Sequence, residues 1–233
     1  MDMNRFVYAG TPDRGYGPWV FIEDTPESRL QALDKGYTAF STTSFAYEPE
    51  KGKPEPVRYG DLWLDIDCKE SPPLAVIAAQ MLITDCAHAY DGFDPAMLDY
   101  FMSGSKGVHI RIPAEMFGGE NGHPFLPRIH SKMLERHFSQ PSHNQRLTML
   151  AKSEPVPDKI KKKTIGDLVD PSLYNMHKGH LLRVPNIRRP DGRYKVQISV
   201  EEFFKQDVNY LLDITRKPRI TSMPSVPPTT TGM

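Results

Sequence analysis

The run Trp63-Leu64-Asp65-Ile66-Asp67 places two carboxylates two positions apart inside an apolar stretch. On a strand, alternate side chains share a face, so Asp65 and Asp67 project together. Neighbouring carboxylates repel each other unless a cation sits between them. A divalent ion that takes oxygen ligands, Mg²⁺ or Mn²⁺, is the economical reason to keep them. Farther along, Ser103-Gly104-Ser105-Lys106-Gly107-Val108-His109 forms a small glycine-containing turn that leads into the strand-like run Val108 to Ile112. Such a turn offers backbone N–H groups, hydroxyls, an ammonium and an imidazole to a phosphate chain. Ser103, Ser105, Lys106, Gly107 and His109 are therefore candidate phosphate binders. Two metals need a third acid, and Asp170, which ends the apolar run Leu168-Val169, is the best candidate. Carboxylates for metals beside a cradle for phosphates point to nucleotide chemistry. The plainer alternatives are strand-end acids facing water and a tight hairpin with a surface lysine and a buried histidine.

The elements that must position these residues follow from pattern. Arg5 to Ala9 and Trp19 to Ile22 read as strands, and Thr25 caps a short helix through Lys35. Tyr37 to Phe45 is extended, and Glu48 to Pro56 is a loop. After the carboxylate strand, Ser71-Pro72-Pro73 opens a helix to about Tyr90, with Ser71 as N-cap. Leu74, Ile77, Ala78, Met81 and Leu82 form its stripe against a sheet. Met97 to Met102 reads as a strand running into the glycine turn, and 125–138 as a helix. Residues 139–163 form a polar loop ending in Lys159-Ile160-Lys161-Lys162-Lys163. Strand character resumes at Leu168 to Asp170 and, with period two, at Arg193 to Val200. Glu201 to Ile214 reads as one C-terminal helix. Residues 1–219 are expected to form a single domain, and the Pro/Thr-rich stretch 220–233 a disordered tail or linker.

Charge is zero overall but unevenly spread. Residues 1–100 carry 8 Lys and Arg against 17 Asp and Glu, a net of −9, whereas residues 101–195 carry 17 against 8, a net of +9. An acidic half and a basic half suit a protein that holds cations on one wall and a polyanion on the other. Asn175 to Arg183, with Arg193-Tyr194-Lys195, is dense in cations and reads as a phosphate and template surface or as a plain basic face. The two cysteines, Cys68 and Cys86, are too few for a disulfide framework or a four-cysteine zinc site. His130 and His137 are two helical turns apart and poorly placed to share a metal. No signal peptide or membrane-length apolar stretch is visible, and a cytoplasmic location without membrane partners is expected.

Together the segments resemble the archaeo-eukaryotic primase superfamily, which includes primases, primase-polymerases and the polymerase domains of bacterial end-joining ligases. The family pattern is an acidic h-D-x-D/E strand, a Ser/Gly turn ending in His, and an apolar residue followed by Asp. Leu64 to Asp67, Ser103 to His109 and Val169-Asp170 match it in order, and Leu181-Leu182-Arg183 to Val196 resembles the basic strand pair beyond it. The resemblance covers about residues 57–200. It implies an α+β catalytic core with an RRM-like antiparallel sheet flanked by helices. Asp65, Asp67 and Asp170 would hold two Mg²⁺ or Mn²⁺ ions, while Ser103, Lys106 and His109, helped by Arg183, would bind a nucleoside triphosphate. Single-stranded DNA template and primer would be partners, with a fused or associated helicase or other replication protein possible. The chain departs from the family in lacking a Cys-rich zinc module, and its first sixty residues match no pattern of that family.

The expected function is template-directed nucleotidyl transfer by a primase or primase-polymerase domain. An end-joining repair polymerase is the nearest alternative. A D-x-D glycosyltransferase would leave the His109 turn and the basic third segment unused. A non-catalytic nucleic-acid-binding module would not need three acids.

Overall fold

Side-chain alternation builds the sheet that carries the candidate residues. Leu62, Leu64 and Ile66 are buried in the core, whereas Trp63, Asp65 and Asp67 point to the opposite face of the same strand. The same alternation runs through Val108, Ile110 and Ile112 against His109 and Arg111. The computed structural model describes residues 4–11, 18–119, 121–138, 158–159, 163–174 and 179–219. The polar stretch 139–157, most of the basic run at 159–163, residues 175–178 and the tail 220–233 lie outside the described residues.

The fold is mixed α+β, with two antiparallel sheets. In the first, β1 (Phe6–Gly10) pairs β2 (Val20–Glu23) along one edge. Two short strands, β3 (Ala39–Ser41) and β4 (Ser44–Phe45), share its other edge. β5 (Arg58–Tyr59) extends β4, and β9 (Leu181–Arg183) extends β3. Helix α1 (Pro26–Asp34) starts where Thr25 accepts a hydrogen bond from Ser28 N at 3.2 Å. A small core of Val7, Ala9, Ala32 and Phe40 lies on this sheet.

The second sheet has the order β10 (Val196–Ile198), β7 (Asp99–Met102), β8 (Gly107–Ile112), β6 (Leu62–Asp67). Helix α2 (Pro72–Ala89) joins β6 to β7, and β8 lies between those strands. The main core fills the space between the apolar face of this sheet and α2, and includes Leu134 from α3 (Leu126–Phe138). Because β10 joins β7, the outer edge of β6 is left for an irregular segment at 169–174, which becomes important at the site.

Several expected elements are corrected. Helix α2 buries Leu74, Ala75, Val76, Ala78, Ala79, Leu82, Ile83 and Cys86, leaving Ile77 and Met81 only half-buried. It is covered on more than the sheet side, since Gln80 Nε2 donates to Phe203 O at 2.5 Å. Ser71 stands at its N-cap, but the hydroxyl makes no capping bond. The strand expected from Met97 begins at Asp99, because Asp94 caps a 3₁₀ turn at Pro95–Met97 through Ala96 N. Leu168 to Asp170 is not a strand but a 3₁₀ turn at Gly166–Leu168 followed by a single bridge, Val169 to Ile66. The strand expected to run from Arg193 to Val200 shrinks to β10 because Ser199 and Glu202 form a reciprocal capping box that starts α4 (Val200–Lys205). The single C-terminal helix is two, α4 and α5 (Val208–Asp213), because the Asp207 carboxylate accepts from Asn209 N and Tyr210 N and begins a new helix. Among the described residues no helix is long and apolar enough to cross a membrane.

Leu82 is fully buried between α2 and the sheet, so Leu82→Ala should cost about 2–5 kcal/mol. Leu30→Ala, at an exposed position on α1, should change stability by less than about 0.5 kcal/mol. Urea titration of both variants checks that the core lies where the alternation puts it.

Candidate active site

Register brings the first two motifs face to face. On paired antiparallel strands, directly opposed residues share a face. Asp65 is opposite His109, and Asp67 is opposite Gly107. His109 Nε2 lies 3.3 Å from Asp65 Oδ1, and Lys106 Nζ pairs with Asp67 Oδ2. Gly107 is required here. A Cβ at that position would sit 2.0 Å from Ile66 O and 2.4 Å from Asp67 Oδ1, displacing the carboxylate from the face.

Ser103 shapes the turn. Its hydroxyl accepts from Gly107 N at 3.1 Å and from Ser105 N at 3.4 Å, leaving the O–H to donate. Gly104 adopts φ +82°, and its Cβ would meet Tyr194 O at 2.4 Å, so a side chain is excluded by both conformation and space. Arg189 Nη1 donates to Ser103 O at 3.3 Å, clamping the turn against the 186–194 hairpin. Ser105 and Lys106 are exposed at its tip.

The third acid arrives by a backbone contact. Asp170 N donates to Asp65 O at 2.8 Å, and Val169 bridges Ile66. Asp170 thus stands beside Asp65 on the outer edge of β6. Arg183 is buried on β9, in the other sheet. His180 precedes that strand, and its carbonyl accepts from Thr42 N at 2.8 Å. The nine residues singled out in the sequence therefore divide into a carboxylate strand with its flanking acid, a Ser/Gly turn ending in His109, and one arginine from the first sheet.

Two further residues enter the site. Lys195 is 2 % exposed, with Nζ 5.0 Å from the Trp63 ring centroid and 4.6 Å from that of Phe101. The sequence placed it only within a cation-rich stretch. Period two could have found it, because Val196 and Ile198 are in the core and Lys195 must then share the opposite face with Gln197, the partner of Phe101. His180 is the second, and the sequence placed it, too, only within a cation-rich stretch.

The electrostatics are crowded. Burial acts to raise the Asp65 pKa, but His109, Lys106 and His180 outweigh it and hold the group below its usual value. Burial and the charge of Asp65 push Asp67 above the usual carboxylate range, with Lys106 partly offsetting them. Burial alone would lower Lys106, yet its bond to Asp67 and the nearby charges of Asp65 and Asp170 raise it. Burial lowers His180, against the pull of Asp65 and Asp170. Burial brings Lys195 down to about 7, opposed by Asp65 and reinforced by Arg183.

Among the described residues no three His, Cys, Asp or Glu side chains form a group that could hold a metal ion. Lys106 and His109 instead stand against the carboxylates. Asp65 and Asp67 nonetheless suit a hard divalent ion in kind, since both offer oxygen and share a face. Among the described residues the buried Asp67 Oδ1 accepts no hydrogen bond, so that oxygen keeps acceptor capacity unused. No protein-family model matches the chain, and no curated protein matches it.

The buried lysine yields a pH test. In the unfolded chain Lys195 stays protonated up to its ordinary value of 10.5, whereas in the fold it loses its proton near 7. Between those values the unfolded state binds more protons, so this group makes stability rise with pH. Below about 7 the fold carries the full cost of a buried ammonium. Lys195→Met should therefore melt above the parent protein, by the widest margin at pH 6.5, with the gap narrowing toward pH 10. Thermal denaturation of the two proteins across that range measures it, and a gap that does not change with pH would exclude a depressed lysine.

Proposed function

We propose that this chain is the catalytic domain of a template-directed nucleotidyltransferase of the primase or primase-polymerase kind. The observation that carries the reading is convergence. The acidic strand, the Ser/Gly turn ending in His109, and Asp170, far apart in sequence, meet at one patch through the β6–β8 register and the Asp170 N to Asp65 O bond. A four-stranded antiparallel sheet with a helix on its apolar face is the kind of scaffold the resemblance implies.

Asp65 and Asp67, with Asp170 beside them, would hold two Mg²⁺ or Mn²⁺ ions. Bound there, the ions would lower the pKa of the attacking 3′-hydroxyl and neutralise the leaving pyrophosphate. Lys106 and His109 serve as the phosphate donors. Each now rests against a carboxylate, and each can exchange that partner for a phosphate oxygen once the carboxylates are neutralised. The backbone N–H groups of the turn and the Ser103 O–H add neutral donors. Arg183 and Lys195 supply positive charge from beyond the carboxylates. The partners would be a single-stranded template, read by pairing with the incoming base, and a primer annealed to it.

Incorporation of labelled nucleotides on a single-stranded template, with and without primer, tests the reading. Template-dependent synthesis requiring Mn²⁺ or Mg²⁺ is expected, and synthesis without primer would assign de novo priming. Asp65→Asn should lower incorporation at least about a hundredfold, since a metal supplies several kcal/mol of charge stabilisation. The variant should remain folded, because the amide keeps the shape of the side chain and Leu62, Leu64 and Ile66 still fill the core. Near-parental incorporation by folded Asp65→Asn would exclude the metal role. Transfer of a sugar from a nucleotide-sugar, with no template dependence, would replace the reading with a glycosyltransferase.

A further inference from the structure

The outer edge of β6 is closed in an unusual way. Moving back along the strand, Ile66 bridges Val169, Asp65 O accepts from Asp170 N, and Trp63 is met by a side chain. The Tyr174 hydroxyl donates to Trp63 O at 2.6 Å and accepts from Trp63 N at 2.7 Å. One hydroxyl thereby satisfies both backbone groups of Trp63 on this edge, as a neighbouring strand residue would. A 3₁₀ turn at Pro171–Tyr174 links this anchor to Asp170. The segment bearing the third acid is thus fastened to the strand bearing the first two on either side of Asp170.

The ring of Tyr174 is itself wedged. His130 of α3 packs edge-on against it with centroids 5.0 Å apart, and against Phe117 at 5.3 Å. His130 is 0 % exposed, and among the described residues neither ring nitrogen has a hydrogen-bond partner. Burial brings its pKa down to about 4, so it packs as a neutral ring. A buried histidine that bonds to nothing contributes shape, and here its shape backs the tyrosine.

We propose that Tyr174, backed by His130, is a positioning residue for the proposed metal site: it sets the register of the Asp170 segment along β6 and so keeps the Asp170 backbone beside Asp65. The inference rests on the nucleotidyl-transfer reading, because it assigns those acids to metal. Tyr174 touches no reacting atom. It acts through Asp170, and it connects α3 to the carboxylate strand.

Mn²⁺ binding to the whole chain, followed by electron paramagnetic resonance without nucleotide, tests it. Removing a residue that orients a metal ligand typically weakens affinity by 10–100-fold. Tyr174→Phe, which keeps the ring and deletes the hydroxyl, should weaken Mn²⁺ binding roughly tenfold while near-ultraviolet circular dichroism stays native. Asp170→Asn should weaken it in the same sense, and the double variant should lose no more than Asp170→Asn alone, because both act through one carboxylate. If Tyr174→Phe melts below the assay temperature, His130→Ala carries the same expectation, since it loosens the ring without touching β6. Parental Mn²⁺ affinity in the folded Tyr174 or His130 variant, or fully additive losses in the double variant, would overturn the proposal. Where Asp170→Asn weakens binding and Tyr174→Phe does not, the metal reading stands and this inference falls. A parental protein that binds no Mn²⁺ overturns both.

Discussion

The site depends on the pairing register between β6 and β8. A slip of one residue would turn every side chain of one strand to the other face. Leu62, Leu64 and Ile66 on one strand and Val108, Ile110 and Ile112 on the other are all buried in the core. Burying each such side chain is worth about 1.5–3 kcal/mol, so exposing three of them outweighs any repulsion between Asp65 and Asp67. The apolar face therefore fixes where the polar face puts its charges. At the far end of β8, Arg111 pairs with Asp99 at 2.6 Å and with Asp61 at 3.4 Å, using up the acids there. Asp65 and Asp67 remain with Lys106 and His109.

Two neighbouring acids shifted in opposite directions describe a pair that resists holding two negative charges. Inside a protein such charges interact more strongly than in water. The patch answers with its own cations, Lys106 on Asp67 and His109 on Asp65, while Lys195 is held on aromatic rings. Each of these contacts is a compromise that a divalent ion and a phosphate chain together would improve. The ion would take the carboxylates, and the displaced ammonium and imidazole would take the phosphate. On the proposed reading, a metal and an anion would be bound together more readily than either alone.

How much of this was legible in the sequence depended on periodicity. The strands β1, β2, β6 and β8, the helices α1 and α3, and the shared face of Asp65 and Asp67 follow from alternation, capping and spacing. The stripe on α2 holds for Leu74, Ala78 and Leu82 but is too narrow, because that helix is apolar nearly all round, and an apolar run does not say which side is covered. The C-terminal helix divides at Asp207 because one capping carboxylate outweighs continued helical spacing. The Gly107 requirement was not legible at all, since it comes from a strand that the turn meets only after folding. Lys195 was half-legible: its charge suggested a surface, whereas its place in the alternation with Val196 and Ile198 put it on the opposite face of the sheet, where Trp63 and Phe101 cover it.

The third acid shows why the remainder was hidden. An open strand edge is a liability that proteins cover or pair. This chain covers the edge of β6 with 3₁₀ turns, one bridge and one hydroxyl, none of which has a period. The stretch could be read as strand-like from Leu168 to Asp170 because its apolar residues are buried, yet burial there comes from lying along an edge. Irregular backbone also has a structural advantage at this place. A regular strand would bring alternating side chains to both faces and place its own carboxylate by pleat alone. A short turn lets the Asp170 amide bond to Asp65 while the chain beyond it leaves the edge and returns through Tyr174. The Asp170 backbone is then held between one bridge and one tyrosine, with the core beneath β6 left regular.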